Sequence, residues 1–358
     1  MPDRPKIVVV GAGIVGAAVA WNLARAGAGV TIVADDRSSG PATRASLAWI
    51  NASWGNREDY FRLRLQSMAE WRRLAEALPS LPLTWCGGLL WDLPADRLAA
   101  FAAEHTSRGY DLRLVDGASA QRIEPALAQP PPLAVHAPSE GAVEPEAAAS
   151  LLVDDACARG ASIMRETRVN RIVRRSGRAI GVDTDGGPVD GDAVVVAAGA
   201  GAPALAATVG LELRIGAPPV LLLVARAARP ILHGLVLAPA LHVRQRPDGR
   251  IVASAGYRGS DAAVEGEALA AALRSMLRGA DEISIENAVV SPRPMPADGL
   301  PVVGAIDGIP GLWLAISHSG VTLAPAIGRM VAEMILAGRI DPLVAPFGAR
   351  PSILAPLA

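Results

Sequence analysis

Followed for apolar and polar positions alone, the chain opens on a continuous apolar run at residues 7–10 that stops at Gly11. A run without polar alternation predicts a strand buried on both faces of a parallel sheet. Residues 14–26 read as a helix, and Gly27 follows as its stop. Residues 30–33 are a second β-rich run, so strand, glycine turn, helix and strand complete one βαβ unit within the first 35 residues.

Residues 38–56 predict a polar and aromatic loop, and 58–78 an amphipathic helix with Phe61, Leu65, Met68, Leu74, Ala75 and Leu78 at helical spacing. Residues 84–92 read as one strand containing Gly87 and Gly88. Pro130, Pro131 and Pro132 read as a linker ahead of a helix at 146–159. β-like stretches follow at 169–173, 179–184 and 193–198, then at 220–226, 242–245 and 250–255. The last two are joined by Pro247-Asp248-Gly249, which is favourable turn chemistry. A late strand at 312–316 and a late helix at 323–336, closed by Gly338, complete the pattern, and no internal repeat is present.

The N-terminal βαβ unit needs parallel neighbours, and 193–198 and 312–316 are the nearest candidates. The expected fold class is therefore α/β, with a Rossmann-like dinucleotide-binding domain built from three separated segments, 1–80, 140–215 and 290–345. Residues 81–139 and 216–289 would form an α+β substrate domain with a mixed or antiparallel sheet, and 346–358 a C-terminal tail.

Length changes this picture little: 358 residues suffice for two lobes around a shared ligand. Charge removes one class of partner. The 34 basic and 35 acidic residues are interspersed, with net charge −1, so nucleic acid is not expected. Cys86 and Cys157 cannot build a disulfide framework and lack metal spacing, and the five histidines are scattered, so no metal is expected. The apolar stretch 7–20 is interrupted by glycines and followed by Asn22 and Arg25, unlike a secretory segment. No uninterrupted apolar run reaches the ~18 residues of a membrane span, so a cytoplasmic protein is expected.

Candidate chemistry begins at Gly11-Ala12-Gly13-Ile14-Val15-Gly16, a G-x-G-x-x-G between a predicted strand and a predicted helix. Gly11 permits the tight turn, Gly13 lets a pyrophosphate approach the backbone, and Gly16 lets the helix pack on the strand. The unpaired N–H groups of the helix then face the phosphates. The acidic residue that normally binds ribose falls at position 34, which is Ala34; Asp35 and Asp36 follow directly. The glycines alone do not separate NAD from FAD.

Four further segments resemble the D-amino-acid oxidase, glycine oxidase and sarcosine oxidase family of flavoenzymes. Ser39–Ser46 (SGPATRAS) resembles the small-residue loop that runs under the flavin, and Asp192–Ala200 (DAVVVAAGA) the second FAD-contacting strand and turn. Arg293–Gly304 (RPMPADGLPVVG) is similar to the family's R-P-x-x-x-D-G-x-P-x-x-G segment, and Gly311–Pro325 to its closing strand, glycine turn and last helix.

The resemblance implies FAD held by Gly11, Gly13, Ile14, Val15 and Gly16, by Asp35 or Asp36, and by Thr43, Arg44, Ala45 and Ser46. It adds Val169, Ala198 and Gly199, and finally Ser319, Gly320, Val321 and Thr322, where a helix N-terminus disperses charge at the flavin N1–C2=O edge. Residues 317–320 contain no cysteine, so non-covalent FAD is implied.

By the same resemblance Arg293 holds a substrate carboxylate, with a domain-interface ion pair as its alternative. The family's second arginine is missing, because the loop at 317–320 is two residues shorter. His242 takes the place of an active-site tyrosine and would bind substrate, adjust amine protonation or be structural. His318 would lie beside the flavin, and Arg44 would neutralise charge there or pair with Asp35 or Asp36. Trp49, Asn51, Trp54 and Tyr257 are candidates for a substrate wall or for ordinary core.

The implied activity is oxidation of the C–N bond of a small amine or amino acid, with hydride transfer to flavin N5 and hydrolysis of the imine. Oxygen or another acceptor would take the electrons. Alternatives are the FAD-binding subunit of an amine or opine-type dehydrogenase complex, a non-catalytic nucleotide-binding protein, and a nicotinamide dehydrogenase. Oligomeric state is open.

Overall fold

The apolar run at residues 7–10 lies within a six-stranded sheet in the computed structural model of the chain, which describes residues 4–53 and 56–357. The sheet order is Val302–Ala305, Leu312–Ile316, Ala193–Val196, Lys6–Val10, Gly29–Val33, Ser162–Met164. All neighbours are parallel except Val302–Ala305, which runs against Leu312–Ile316. Ile7 pairs with Ala193 and Val194 with Leu312, so the two distant segments do flank the N-terminal unit. The strand is apolar throughout because both faces are covered. Ile7 and Val9 pack into a core with the helices Ile14–Arg25 and Gly320–Ala337, while Val8 and Val10 join a second core with Ile172, Val182 and Leu205.

The position of those two helices sets the site. A Cβ placed on Gly328 would lie 2.5 Å from the Ala18 carbonyl oxygen, so the closing helix touches the backbone of the first helix directly. Each helix follows a parallel strand, and both N-termini therefore open at the C-terminal edge of the sheet, where α/β folds bind ligands. The closing helix is apolar and long enough to cross a membrane by composition, yet most of it is buried in this packing.

Pro325 interrupts the closing helix and has no N–H to give the Val321 carbonyl. The indole N–H of Trp71, from the helix Glu58–Ala77, donates to that carbonyl at 3.1 Å. The Ala326 N–H donates to Ser67 Oγ at 3.3 Å, so the defect becomes a side-chain clasp between two helices.

A second, eight-stranded sheet runs Ser284–Pro292, Pro219–Arg226, Arg250–Gly256, His242–Gln245, Leu235–Leu237, Gly88–Leu90, Leu133–Ala137, Arg113–Asp116. It is antiparallel except between Leu235–Leu237 and Gly88–Leu90, which makes it mixed.

Several local expectations are corrected. Residues 84–92 are two strands, Leu83–Thr84 and Gly88–Leu90, in different sheets, because Gly87 turns the chain at φ +71°. The three prolines are no linker; they lead into Leu133–Ala137 of the large sheet. The loop at 38–56 contains a short helix, Pro41–Arg44, and the strand Trp49–Ile50. The large sheet continues to Pro292, past the segment boundary drawn at 290. Within the C-terminal tail, Leu354–Pro356 pairs with Leu211–Leu213, and Phe347 is fully buried.

Gly328→Val is expected to lower stability by ~1–3 kcal/mol, because the new side chain meets backbone that cannot swing aside. Urea unfolding measures this; an unchanged midpoint would mean that the helices have room to separate.

Candidate active site

A cavity of about 890 Å³ lies where the C-terminal edge of the parallel sheet meets the eight-stranded sheet. That volume suits a large organic cofactor together with a small substrate. One end is the glycine turn. Gly11 sits at φ +108°, and a Cβ there would lie 2.6 Å from the Ala197 carbonyl oxygen. Gly13 faces the cavity, while Gly16 lies outside its wall, where any Cβ would overlap the Gly11 carbonyl. Gly16 therefore acts through packing. Ile14 and Val15 line the cavity at the helix start, where the Ile14 N–H donates to Thr43 Oγ1 at 3.1 Å.

Ala34 is committed to the backbone, its N–H to Met164 and its carbonyl to Thr167. Asp36 is held by Arg44 at 2.8 Å. Asp35, exposed at the cavity rim, makes no ion pair among the described residues. Arg44, also bonded to the Ser39 carbonyl, does not line the cavity, and of its two expected roles it takes the pairing with Asp36. Ala45 and Ser46 do line the cavity, as do Val169, Ala198 and Gly199.

The middle of the cavity is the start of the closing helix. Ser319, Gly320, Val321 and Thr322 all face it. Thr322 Oγ1 donates to the Trp49 carbonyl at 3.1 Å and accepts the Asn51 N–H at 3.4 Å, which ties the polar-aromatic loop to the helix. Ser291 and Ser317 line the same cavity, and their buried hydroxyls have no hydrogen-bond partner among the described residues. Free helix N–H groups, unpartnered hydroxyls and glycines that admit no Cβ are a donor set suited to phosphates and a flavin edge. Neither Cys86 nor Cys157 lines the cavity, and no metal-type cluster occurs among the described residues.

Arg293 and His318 line the cavity too, and Arg293 Nη1 donates to His318 Nε2 at 3.2 Å. Burial, then the charges of Arg293 and Arg64, push the His318 pKa down to about 4. The imidazole is therefore neutral near pH 7 and accepts from Arg293 without competing for its charge. Arg293 has no ion-pair partner among the described residues, and burial lowers its own pKa. His242 Nε2 lies 2.8 Å from Asp92 Oδ2, with the Asp92 side chain only 6% exposed. Trp49 meets the His242 ring edge-on at 6.4 Å between centroids, and both line the cavity. Asn51 lines it too. Tyr257 does not: its hydroxyl donates to the Ser260 carbonyl and its ring packs on the core beneath the large sheet. Trp54 lies outside the described residues.

The sequence reading missed three charged residues here. Arg64 is 4% exposed and donates to Asn51 Oδ1 and to Ser319 Oγ, each at 2.6 Å. Its signal was a charge inside the apolar stripe between Phe61 and Met68. Asp92 and Glu140 carried no local signal. Glu140 is fully buried and accepts from Trp49 Nε1 at 2.7 Å and Tyr110 Oη at 2.8 Å. Burial outweighs these bonds and pushes its pKa up to about 7.

A carboxyl raised from 4.5 in this way binds its proton more tightly folded than unfolded, so its contribution falls as pH rises from about 4.5 to 7. The stability of Glu140→Gln relative to the parent should therefore improve by ~2–3 kcal/mol between pH 5 and pH 8. Urea midpoints at the two pH values measure it; a pH-independent difference would show that Glu140 is ionised throughout.

A family model described as FAD dependent oxidoreductase matches residues 6–334. A glycine oxidase of Pseudomonas aeruginosa is 29% identical over 364 residues, covering 95% of this chain and 97% of that protein. An opine oxidase subunit of Rhizobium meliloti is 24% identical over 363 residues, with 96% of each chain covered. The crystal structure of glycine oxidase from Geobacillus kaustophilus superposes with a TM-score of 0.88 at 26% identity, over 97% of this chain and 99% of that one. The matched span runs from the first strand of the phosphate cradle into the closing helix, and the chain belongs to the FAD dependent oxidoreductase family, with FAD as its cofactor.

Proposed function

We propose that the chain oxidises the C–N bond of an amino acid, with the substrate carboxylate on Arg293 and the amine beside His242. The observation that carries this reading is a half-buried guanidinium lining the cavity whose side-chain partner among the described residues is a neutral imidazole. A buried cation without a counter-ion is costly, and a carboxylate arriving in the cavity supplies one in bidentate geometry. The likeness to proteins named as a glycine oxidase and as an opine oxidase subunit supports a substrate of this kind. Bound FAD supplies the two-electron acceptor.

The chain's own residues do the remaining work. The glycine turn and the N-terminus of the first helix hold the pyrophosphate, and Asp35 takes the ribose hydroxyls in place of Ala34. Held by Asp92, His242 takes the proton of the substrate ammonium, because only the neutral amine gives up electrons readily. Trp49 and the loop around it keep water from the reacting carbon. A second reading keeps this site but passes electrons to a partner protein; full-length similarity to a protein named as a subunit favours it. Slow turnover with oxygen and fast turnover with a dye acceptor would select it.

Arg293→Leu should reduce kcat/KM for the preferred amino acid at least ~30-fold, about 2 kcal/mol, mainly through KM. The corresponding amine without a carboxylate should be affected little. Equal losses on both would remove the carboxylate assignment. Asp92→Asn should lower kcat/KM more at pH 7 than at pH 9.5, where solvent has already deprotonated much of the substrate; a pH-independent loss contradicts the proton role.

A further inference from the structure

We propose that Arg64 is a positioning residue for the flavin: its fixed charge, carried through Ser319 and Asn51, favours the reduced, anionic cofactor. The inference rests on FAD lying in this cavity, and it is independent of which amine is oxidised.

Arg64 breaks the pattern of its own helix. The other arginines of Glu58–Ala77 are exposed, whereas Arg64 is 4% exposed on the buried stripe. All the hydrogen bonds it makes go to neutral groups: Asn51 Oδ1 at 2.6 Å, the Asn51 carbonyl at 3.1 Å, Ser319 Oγ at 2.6 Å and Tyr60 Oη at 3.5 Å. It makes no ion pair among the described residues. Glu140 is an acid that feels its field, but burial raises that carboxyl to about 7, so near neutral pH it offers Arg64 only part of a negative charge.

Its neighbour adds to the imbalance. Ser319 is the N-cap residue of the closing helix, whose first turn carries about half a positive charge. A guanidinium bonded to that residue puts two positive ends side by side in the protein interior. Arrangements of this kind cost stability, and they persist where function needs an anion.

Two arginines that are not exposed line this cavity, Arg293 and Arg64, and both act on the neutral His318; the exposed Arg168 lines it as well. The chemistry brings two anions: a substrate carboxylate, and the flavin, which would become a monoanion on accepting a hydride, that is two electrons with one proton. Arg293 is open for the carboxylate. The N–H groups of Arg64 are turned onto Asn51 and the helix start, so its charge acts on whatever the helix N-terminus faces.

The test compares FAD-loaded parent, Arg64→Met and Arg64→Lys without any amine substrate. Two readouts are taken: the midpoint potential of the bound flavin, and the dissociation constant for sulfite, which adds to the oxidised flavin and leaves it negatively charged. In Arg64→Met sulfite should bind at least tenfold more weakly. A tenfold loss of preference for the reduced state should appear as a potential lower by about 30 mV. Arg64→Lys should recover most of both effects, which a loss of packing alone would not allow.

Should Arg64→Met fail to hold FAD, Ser319→Ala, which cuts the link and keeps the charge, should move both readouts in the same direction by a smaller factor. Unchanged potential and sulfite affinity in an FAD-loaded variant would overturn the proposal. If no amine reduces the parent, the substrate reading fails while this comparison still reports on Arg64.

Discussion

Everything at this site depends on how closely the first and closing helices approach. The contact works because Gly328 presents no side chain to the Ala18 carbonyl, so two helices that follow parallel strands lie backbone to backbone. Their N-termini then open side by side at one edge of the sheet. One starts at the glycine turn; the other lines the same cavity with Ser319 to Thr322 and is clasped by Trp71 and Ser67 around the gap left by Pro325. Moving either helix would separate the phosphate end of the cofactor site from its reacting end.

On this frame the chain arranges an excess of positive charge. Arg293 and Arg64 both reach the cavity without a carboxylate, His318 is held neutral, and buried Glu140 is pushed toward its neutral form. The acids nearby lie elsewhere: Asp92 is paired with His242 and Asp36 with Arg44, while Asp35 is exposed at the end that holds the glycine turn. Such a cavity favours anions, and under the proposed reading a substrate carboxylate and the reduced flavin supply them.

How much of this was legible depended on the range of the interactions. The βαβ unit and its parallel neighbours at 193–196 and 312–316 were readable because strands covered on both faces must be apolar throughout. Arg113–Asp116 was not, since it is an exposed edge strand with no alternation to read. Arg293, His242 and His318 were found through motif resemblance. The partners that give them meaning come from far along the chain: Asp92 lies 150 residues before His242, and Arg64 lies 255 before Ser319. Arg44 had two open readings, and the neighbouring Asp36 decides between them by capturing it locally.

The central claim is that this cavity holds FAD and oxidises amines that carry a carboxylate. The most direct measurement is the visible spectrum of the purified, FAD-loaded chain under anaerobic titration with amino acids, N-alkyl amino acids and the matching decarboxylated amines. The account predicts bleaching of the flavin bands by at least one carboxylate-bearing amine and none by its decarboxylated counterpart at the same concentration. A chain that takes up no flavin, or one bleached equally by both members of a pair, would contradict it.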